Sequence, residues 1–392
     1  MTIDLPTPLT NPPPSDPSMG WGHSLARGAP GVLLLHAESA RATGDWRAAH
    51  SWASASTRTP VPATPGSSLF RGALSVAFAL HTAAHPGYAD ALRTLDQAVT
   101  TLLRGRLDRA HTRIDNVDLP ALGEFDLVSG LTGFGVLLLH RSDDDGLRAV
   151  LSYLVRLTEP VHVDGENLPG WWTANGPADH PDGRFPGGHG NLGMAHGVSG
   201  PLALLVTAMR RGITVDGHAN AVTRICAWLE TWRQDEGTNA WWPPWVTRDE
   251  NRTGRRTFRA AARPSWCYGT PGIGRALQLA AIATSNAALQ DTAEAALLGC
   301  ATDGHQLAQI TEPGLCHGWA GLHHAVNRAA ADARTPDLAA SLPALASRLN
   351  ATAPPQEVGL LDGRAGVELV RHTIQTGVPP ATEWDACMLL NG

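Results

Sequence analysis

Two cysteines and one histidine, at two distant places in the sequence, are the residues best suited to bind a metal ion and take part in a reaction. Cys267 lies two residues before Gly269, and the adjacent pair Cys316-His317 precedes Gly318. Two thiolates and an imidazole form a soft ligand set that suits Zn²⁺, and three protein ligands leave one tetrahedral position open, as in catalytic zinc sites. Structural zinc sites usually bring ligands in close pairs such as C-x-x-C, and the chain has none. The alternative is that both cysteines are small buried hydrophobic residues.

A G-x-x-G element or a near variant leads into an apolar helical run six times, which is the strongest architectural pattern in the sequence. Successive first glycines are 45 to 72 residues apart, so each interval has room for a helical hairpin and a loop. Both cysteines stand two residues before the first glycine of their elements, and therefore at equivalent positions. The first glycines are Gly72, Gly130, Gly197, Gly269, Gly318 and Gly363.

Short glycine-rich turns that open inner helices, alternating with outer helices, predict an all-α fold of the α/α-toroid type. In such a ring the N-terminal turns of the inner helices gather at one end, where their N–H groups favour anionic groups such as thiolate. Close helix packing alone could explain the glycines, but it does not explain the Cys and His residues that precede three of them. We predict one toroid domain over residues 21–392 and a disordered, Pro-rich tail over residues 1–20.

Composition excludes several classes of protein. The chain has 392 residues, of which 43% are hydrophobic and 17% are charged, as is typical of folded globular proteins. A net charge of −6 argues against a nucleic-acid-binding surface. Five scattered cysteines favour free or metal-bound thiols in a reducing cytoplasm over a disulfide framework. We find no signal-peptide pattern and no apolar run long enough for a transmembrane segment.

Two long intervals interrupt the helical pattern. Residues 159–194 and 234–265 are rich in Trp, and the second also carries five arginines between Arg248 and Arg259. Long loops without helical periodicity often carry function, so Trp and Arg here could form a groove for a peptide. The alternative is that the Trp side chains pack against the barrel while the Arg residues form a solvated face.

Taken together, these motifs resemble the lanthipeptide cyclase (LanC) family and its LanC-like relatives. The resemblance covers about residues 68–368. The Cys pair with its adjacent His is the most specific part, and the glycine elements are less specific. The matching segments are Trp266-Cys267-Tyr268-Gly269 with Pro271-Gly272, Cys316-His317-Gly318, Ala195-His196-Gly197-Val198-Ser199-Gly200, and Asp126 followed by Gly130 and Gly133.

The resemblance implies an α/α toroid with Zn²⁺ held by Cys267, Cys316 and His317. The family reaction adds a peptide Cys thiol to dehydroalanine or dehydrobutyrine and forms a thioether ring. A proton must then be supplied at Cα, and a histidine can exchange protons near neutral pH. The implied catalytic residues are His196 as acid or base, Asp126 to orient His196 or Arg263, Arg263 to stabilise the enolate, and Tyr268 as a hydrogen-bond donor.

Other roles for these residues stay open at this point. Asp126 could be only an N-cap, Tyr268 a packed aromatic ring and Arg263 one more exposed arginine. His189 is a further candidate, although its glycine neighbours favour a plain loop residue.

The implied substrate is a dehydrated precursor peptide, and a dehydratase and a transporter are the implied partners. The implied location is the cytoplasm, peripheral to the membrane through such a complex. Three other functions remain open: a LanC-like enzyme that adds glutathione, thiol alkylation as in zinc prenyltransferases, and a non-catalytic helical scaffold that binds peptide without zinc. A toroid glycosidase would need a carboxylate pair on the repeated turns, and we find none.

Overall fold

The structure, a computed structural model, describes residues 9–236 and 239–392, most of which are helical. Among these residues no helix has both the length and the apolarity needed to cross a bilayer. In chain order the α-helices are α1 (Ala29–Thr43), α2 (Arg47–Ser56), α3 (Ala73–Ala83), α4 (Ala89–Asp115), α5 (Leu122–Phe125), α6 (Leu131–His140), α7 (Asp144–Leu157), α8 (Ser199–Arg210), α9 (His218–Trp232), α10 (Arg248–Thr253), α11 (Thr270–Ala283), α12 (Ala287–Thr302), α13 (Gly304–Leu307), α14 (Trp319–Asp332), α15 (Asp337–Ala351) and α16 (Arg364–Thr376). The strands are β1 (Val161–Val163), β2 (Glu166–Leu168), β3 (His189–Asn191), β4 (Gln234–Glu236), β5 (Asn239–Trp241) and β6 (Trp245–Thr247).

Seven helices form a closed inner ring. Helices α1, α3, α6, α8, α11, α14 and α16 each contact the next in this order, and α16 contacts α1. Every residue of α6 except His140 is buried, as expected for a helix that is apolar on all sides. Helices α2, α4, α7, α9, α12 and α15 form an outer layer, each against the inner helix that precedes it. The predicted α/α toroid is therefore confirmed.

The glycine elements are sterically required where each inner helix begins. A Cβ atom at Gly272 would lie 2.1 Å from the carbonyl oxygen of Trp266, so only glycine allows α11 to start this close to its own turn. A seventh element, which the sequence analysis did not assign, begins at Gly28 and opens α1. A Cβ atom at Gly28 would lie 1.7 Å from the carbonyl oxygen of Trp21. The N-terminal segment therefore supplies the helix that closes the ring.

Backbone hydrogen bonds join neighbouring turns around one end of the ring. Leu127 N–H donates to the Ala195 carbonyl (3.2 Å), and Ala195 N–H donates to the Cys267 carbonyl (3.1 Å). Cys267 N–H donates to the Cys316 carbonyl (3.3 Å), and Cys316 N–H donates to the Leu361 carbonyl (3.0 Å). Because each turn is fixed to the next, residues far apart in sequence are held at adjacent positions on the same end of the toroid.

The N-terminal tail was predicted to be disordered over residues 1–20. Residues 1–8 lie outside the described part of the chain. Within residues 9–20, Leu9 is fully buried and its carbonyl lies 2.5 Å from Nε2 of His36 in α1, while the disorder of the tail stays a prediction. The apolar side chain of Leu9 thus packs this segment against the core despite its Pro-rich composition.

The two Trp-rich intervals are joined by a short sheet in which β3 pairs antiparallel with β6. Their tryptophans pack inwards: Trp172 and Trp242 are buried, and their Nε1–H groups donate to the carbonyls of Gly187 and Leu229. Arg248 is also buried and forms an ion pair with Glu166 (2.8 Å). The burial of Trp172 and Trp242 matches the packing alternative. Trp245 differs, because it is half-buried beside Phe185 and Tyr268, and Arg248 is buried although that alternative made the arginines a solvated face.

Candidate functional site

Cys267, Cys316 and His317 converge at the end of the ring where the turns meet. Each offers one ligand atom, and the three atoms all lie within 4.8 Å of one another. Cys267 belongs to the turn that opens α11, and Cys316 and His317 belong to the turn that opens α14. Cys267 is buried, whereas the other two side chains are half-buried and reach the surface. The arrangement brings together the three predicted ligands, although Cys267 is about fifty residues from the adjacent pair Cys316 and His317 in the sequence.

The chemistry of this donor set fits a zinc ion. A hydrogen bond from the Cys316 thiol holds the pKa of Cys267 well below its usual range, and the proton held between the two sulfur atoms raises the pKa of Cys316. Two sulfur atoms that share one proton form a centre of negative charge that a divalent cation would neutralise. Thiolate and imidazole are the ligands that zinc prefers, so the residues present fit this metal.

His317 has two carboxylates around its ring. Its Nε2 lies 2.9 Å from Oε2 of Glu312, which leaves Nδ1 for a metal ion, and Oδ1 of Asp362 lies 3.9 Å from Nδ1. A carboxylate on the far nitrogen is the usual outer partner of a ligating histidine, because it fixes the tautomer and the ring orientation. Burial raises the pKa of Asp362. Sequence reasoning missed both acids, although Asp362 precedes Gly363 as His317 precedes Gly318.

His196 and Asp126 form a second pair at the same end of the ring. Nδ1 of His196 donates to Oδ2 of Asp126 (2.6 Å), and Oδ1 of Asp126 accepts from the N–H groups of Ser129 (2.6 Å) and Gly130 (2.8 Å). Asp126 therefore caps the turn that opens α6 and also orients the imidazole, so the two roles left open by the sequence coexist. Its partner is His196 and not Arg263. The arrangement leaves Nε2 of His196 free to exchange a proton.

The electrostatics of His196 depend on this pair. Burial by itself lowers the pKa of His196, but the hydrogen bond and the charge of Asp126 outweigh burial, and the resulting pKa is raised. Protonated His196 thus stabilises the fold at acidic pH, and this contribution is lost as the pH rises through the raised pKa. The imidazole side chain is one-third exposed (34%), so it can meet a substrate.

We expect Asp126→Asn to lower the pKa of His196, because the amide keeps an acceptor for the turn but removes the negative charge. The ring protons of His196 in an NMR pH titration should report the change. In the pH–rate profile, the change in rate that reports the titration of His196 should move to lower pH. The cyclisation rate should also fall about 10–100-fold, because a hydrogen bond to a charged group contributes about 1.5–3 kcal/mol. Asp108→Asn, on the outer helix α4, is the control. An unchanged pKa of His196 would contradict the orienting role.

The other two predicted catalytic residues are placed differently. The Tyr268 ring lies beside His196, with centroids 6.0 Å apart, and burial raises the pKa of Tyr268 to about 12, so its phenol stays protonated. The Arg263 side chain forms no ion pair or hydrogen bond with any described residue and is half-exposed. It acts electrostatically on Cys316 and His317. Arg263 thus contributes positive charge near the metal ligands but does not contact them.

Two buried residues of strand β3 pack beneath the site. His189 is fully buried, and its Nδ1 lies 2.8 Å from the Asn175 carbonyl, which agrees with a structural role. Asn191 is also fully buried, and its Oδ1 accepts from Gly193 N–H (3.0 Å). Its side chain partly offsets the rise that burial causes in the pKa of Tyr268. Sequence reasoning missed Asn191, because only the fold brings β3 against the turn that carries Tyr268.

Comparisons with known proteins agree with one another. Residues 21–389 match the family model described as "Lanthionine synthetase C-like protein". The chain is 25% identical over 268 residues to "Nisin biosynthesis protein NisC" of Lactococcus lactis subsp. lactis, which covers 65% of the chain and 60% of that relative. The chain thus spans about 60% of the length of the curated relative it matches. The solved structure "Nisin cyclase" is similar in fold, with a TM-score of 0.79, 20% sequence identity and coverage of 95% of this chain and 93% of that one.

Proposed function

The chain belongs to the lanthionine synthetase C-like family, and from this premise we propose that it is a zinc-dependent lanthipeptide cyclase. In the proposed reaction a peptide Cys thiol adds to dehydroalanine or dehydrobutyrine and forms a lanthionine or methyllanthionine thioether ring. The convergence of the Cys267, Cys316 and His317 ligand atoms within 4.8 Å carries the proposal. The curated relative bears the name of a nisin biosynthesis protein, which supports the same reaction class.

Zinc held by Cys267, Cys316 and His317 would favour the thiolate form of the substrate Cys near neutral pH. In the addition, the substrate thiol loses its proton, the sulfur forms a bond to Cβ, the C=C electron pair moves towards the carbonyl oxygen, and Cα then takes up one proton. One proton is lost and one is gained, so the substrate and the product have the same mass. The protein must therefore hold the thiol and the alkene together, stabilise the enolate and deliver the proton to one face of Cα.

The side chains around the ligands suit these tasks. His196, with its raised pKa and its ring held by Asp126, is the proposed proton donor to Cα. Tyr268, as a neutral phenol, is the proposed hydrogen-bond donor to the enolate oxygen, and Arg263 adds positive charge near the reacting groups. Two hydrogen-bond donors and one cation nearby stabilise the negative charge on the enolate oxygen. They therefore disfavour the reverse step, in which the new C–S bond breaks and the thiolate leaves.

The direct test uses the purified, zinc-loaded protein and a dehydrated peptide that contains free cysteines. We expect the mass of the peptide to stay constant while the number of thiols that iodoacetamide can alkylate falls by one for each ring formed. Zinc content, measured by elemental mass spectrometry, should be one ion per chain. Unchanged alkylation together with full zinc would exclude cyclisation of that peptide. Addition of glutathione to the dehydrated residues would instead identify a glutathione-adding enzyme.

The proposal extends to partners and location. A dehydratase must supply the alkene, because the chemistry of this site forms C–S bonds and does not eliminate water. We propose that the protein works in the cytoplasm beside such a dehydratase and a peptide transporter. The five cysteines form no disulfide, which is consistent with a reducing compartment.

A further inference from the structure

The residue immediately before the first glycine of each turn occupies the same register position in all seven elements. Because the turns meet at one end of the ring, these residues form one rim around its mouth, and all of them are exposed or half-buried. Four of them, His196, Tyr268, His317 and Asp362, belong to the site described above. In ring order, the rim consists of Arg27, Arg71, Ser129, His196, Tyr268, His317 and Asp362.

The rim is continuous from the metal ligands to two arginines. Asp362 lies next to His317, with 3.9 Å between Oδ1 and Nδ1. Leu361 N–H donates to the Ala26 carbonyl (3.1 Å), which fixes the turn of Asp362 beside the turn of Arg27. Ser24, on the approach to Arg27, forms a β-bridge with Arg71. The backbone N–H of Arg27 donates to Oγ of the same Ser24 (3.2 Å), so Ser24 links the backbones of the two arginines on the part of the rim that follows Asp362.

The guanidinium groups of these two arginines make no close contact with an acidic side chain in the described part of the chain, although the charge of Arg27 acts at longer range on Asp362. Both are exposed, and neither guanidinium forms an ion pair or hydrogen bond with a residue in the ranges 9–236 and 239–392. By contrast, the arginines of the outer layer are often paired, as Arg113 is with Glu124. A guanidinium presents a planar fork of donors that matches a carboxylate, and two neighbouring forks make such binding stronger and more specific.

We propose that Arg27 and Arg71 bind a carboxylate of the peptide substrate while its cysteine reacts at the other side of the mouth. The inference rests on the proposed function and adds a substrate class to it: peptides with an acidic residue close to the reacting Cys. Arg27 lies two helix spacings from His317 on the rim. Packed helices lie about 8–10 Å apart, and an extended chain advances about 3.3 Å per residue, so the carboxylate lies roughly five to six residues from that Cys.

The test compares two synthetic dehydroalanine peptides that are identical except for Glu or Gln about five residues from the Cys. For the wild-type protein we expect a KM about tenfold lower for the Glu peptide, as for one charge-assisted pair. The double variant Arg27→Gln, Arg71→Gln should remove this tenfold difference. The preference should also weaken in high salt, because exposed charges are screened. Arg41→Gln, in the last turn of the same helix α1 and thus away from the rim, should retain the preference.

Binding is measured separately from catalysis, with fluorescein-labelled Glu and Gln peptides that carry Ser in place of dehydroalanine. A preference for Glu that the double variant loses would support the proposal even if neither peptide cyclises, in which case only the proposed function would fail. An equal affinity of the wild-type protein for both peptides would overturn the proposal. An equal loss for both peptides in the double variant would also overturn it, because that result indicates a structural role for the arginines.

Discussion

Cys316→Ala is expected to lose its zinc and all measurable ring formation. The substitution leaves Cys267 and His317 as the only two of the three converging ligands. Loss of an outer partner of a ligand already changes metal affinity about 10–100-fold, so loss of a ligand itself should exceed this range. After dialysis against a weak chelator, elemental mass spectrometry should find almost no zinc, and iodoacetamide should alkylate every peptide thiol.

A matched control separates the metal site from a general effect of losing a thiol. Cys226 is half-buried, like Cys316, but lies in the outer helix α9 away from the turns. We expect Cys226→Ala to retain both zinc and activity. Circular dichroism should show that both variants are helical. A full complement of zinc in Cys316→Ala would contradict the ligand assignment, and with it the zinc-dependent mechanism.

His196→Ala is expected to retain zinc but to lose most of the cyclisation rate. The variant removes the proposed proton donor while Cys267, Cys316 and His317 remain, so metal content and rate should separate. A positioned acid or base contributes about 10²–10⁴-fold to a rate, and we expect a loss of this size in kcat. The rate is followed by the decrease in alkylatable thiols over time.

The control for this variant is His180→Ala. His180 is exposed in the segment between β2 and β3, and Nδ1 of its ring lies 3.2 Å from the Pro181 carbonyl. We expect no change in its rate or zinc content. If His196→Ala cyclised the peptide at the wild-type rate, His196 would have no part in proton transfer, and Tyr268 would become the remaining candidate donor.

The fold and the family were predictable from the sequence because their signals are local. The six glycine elements assigned from the sequence each open an inner helix, since a glycine is required wherever a helix starts against its own turn, as Gly272 shows. The element at Gly28 was not predicted, because it directly follows the Pro-rich N-terminal segment and was not recognised as part of the repeat. Only ring closure through the contact of α1 with α16 shows that this segment completes the inner layer.

The ligand set was predicted from residue types and register, and it stays a prediction until zinc is measured. The structure shows how the two cysteines come close together. They occupy equivalent turns, and a backbone hydrogen bond from Cys267 N–H to the Cys316 carbonyl holds these turns side by side (3.3 Å). The sequence left a groove of Trp side chains and packing of these side chains equally open, and in the structure Trp172 and Trp242 are buried. Composition shows that large apolar side chains are present in a loop, but not whether the core has room for them.

By itself, the sequence determined which residues can do chemistry and which kind of ring must position them, because residue types, apolar periodicity and glycine spacing can be read along the chain. The tertiary structure alone decided the partners. It paired His196 with Asp126, 70 residues away, and placed Glu312 on the far side of His317. The physical reason is that the His196–Asp126 contact joins two different turns, which become neighbours only when the inner helices close into a ring, whereas the Glu312–His317 contact depends on how the backbone folds back within one turn.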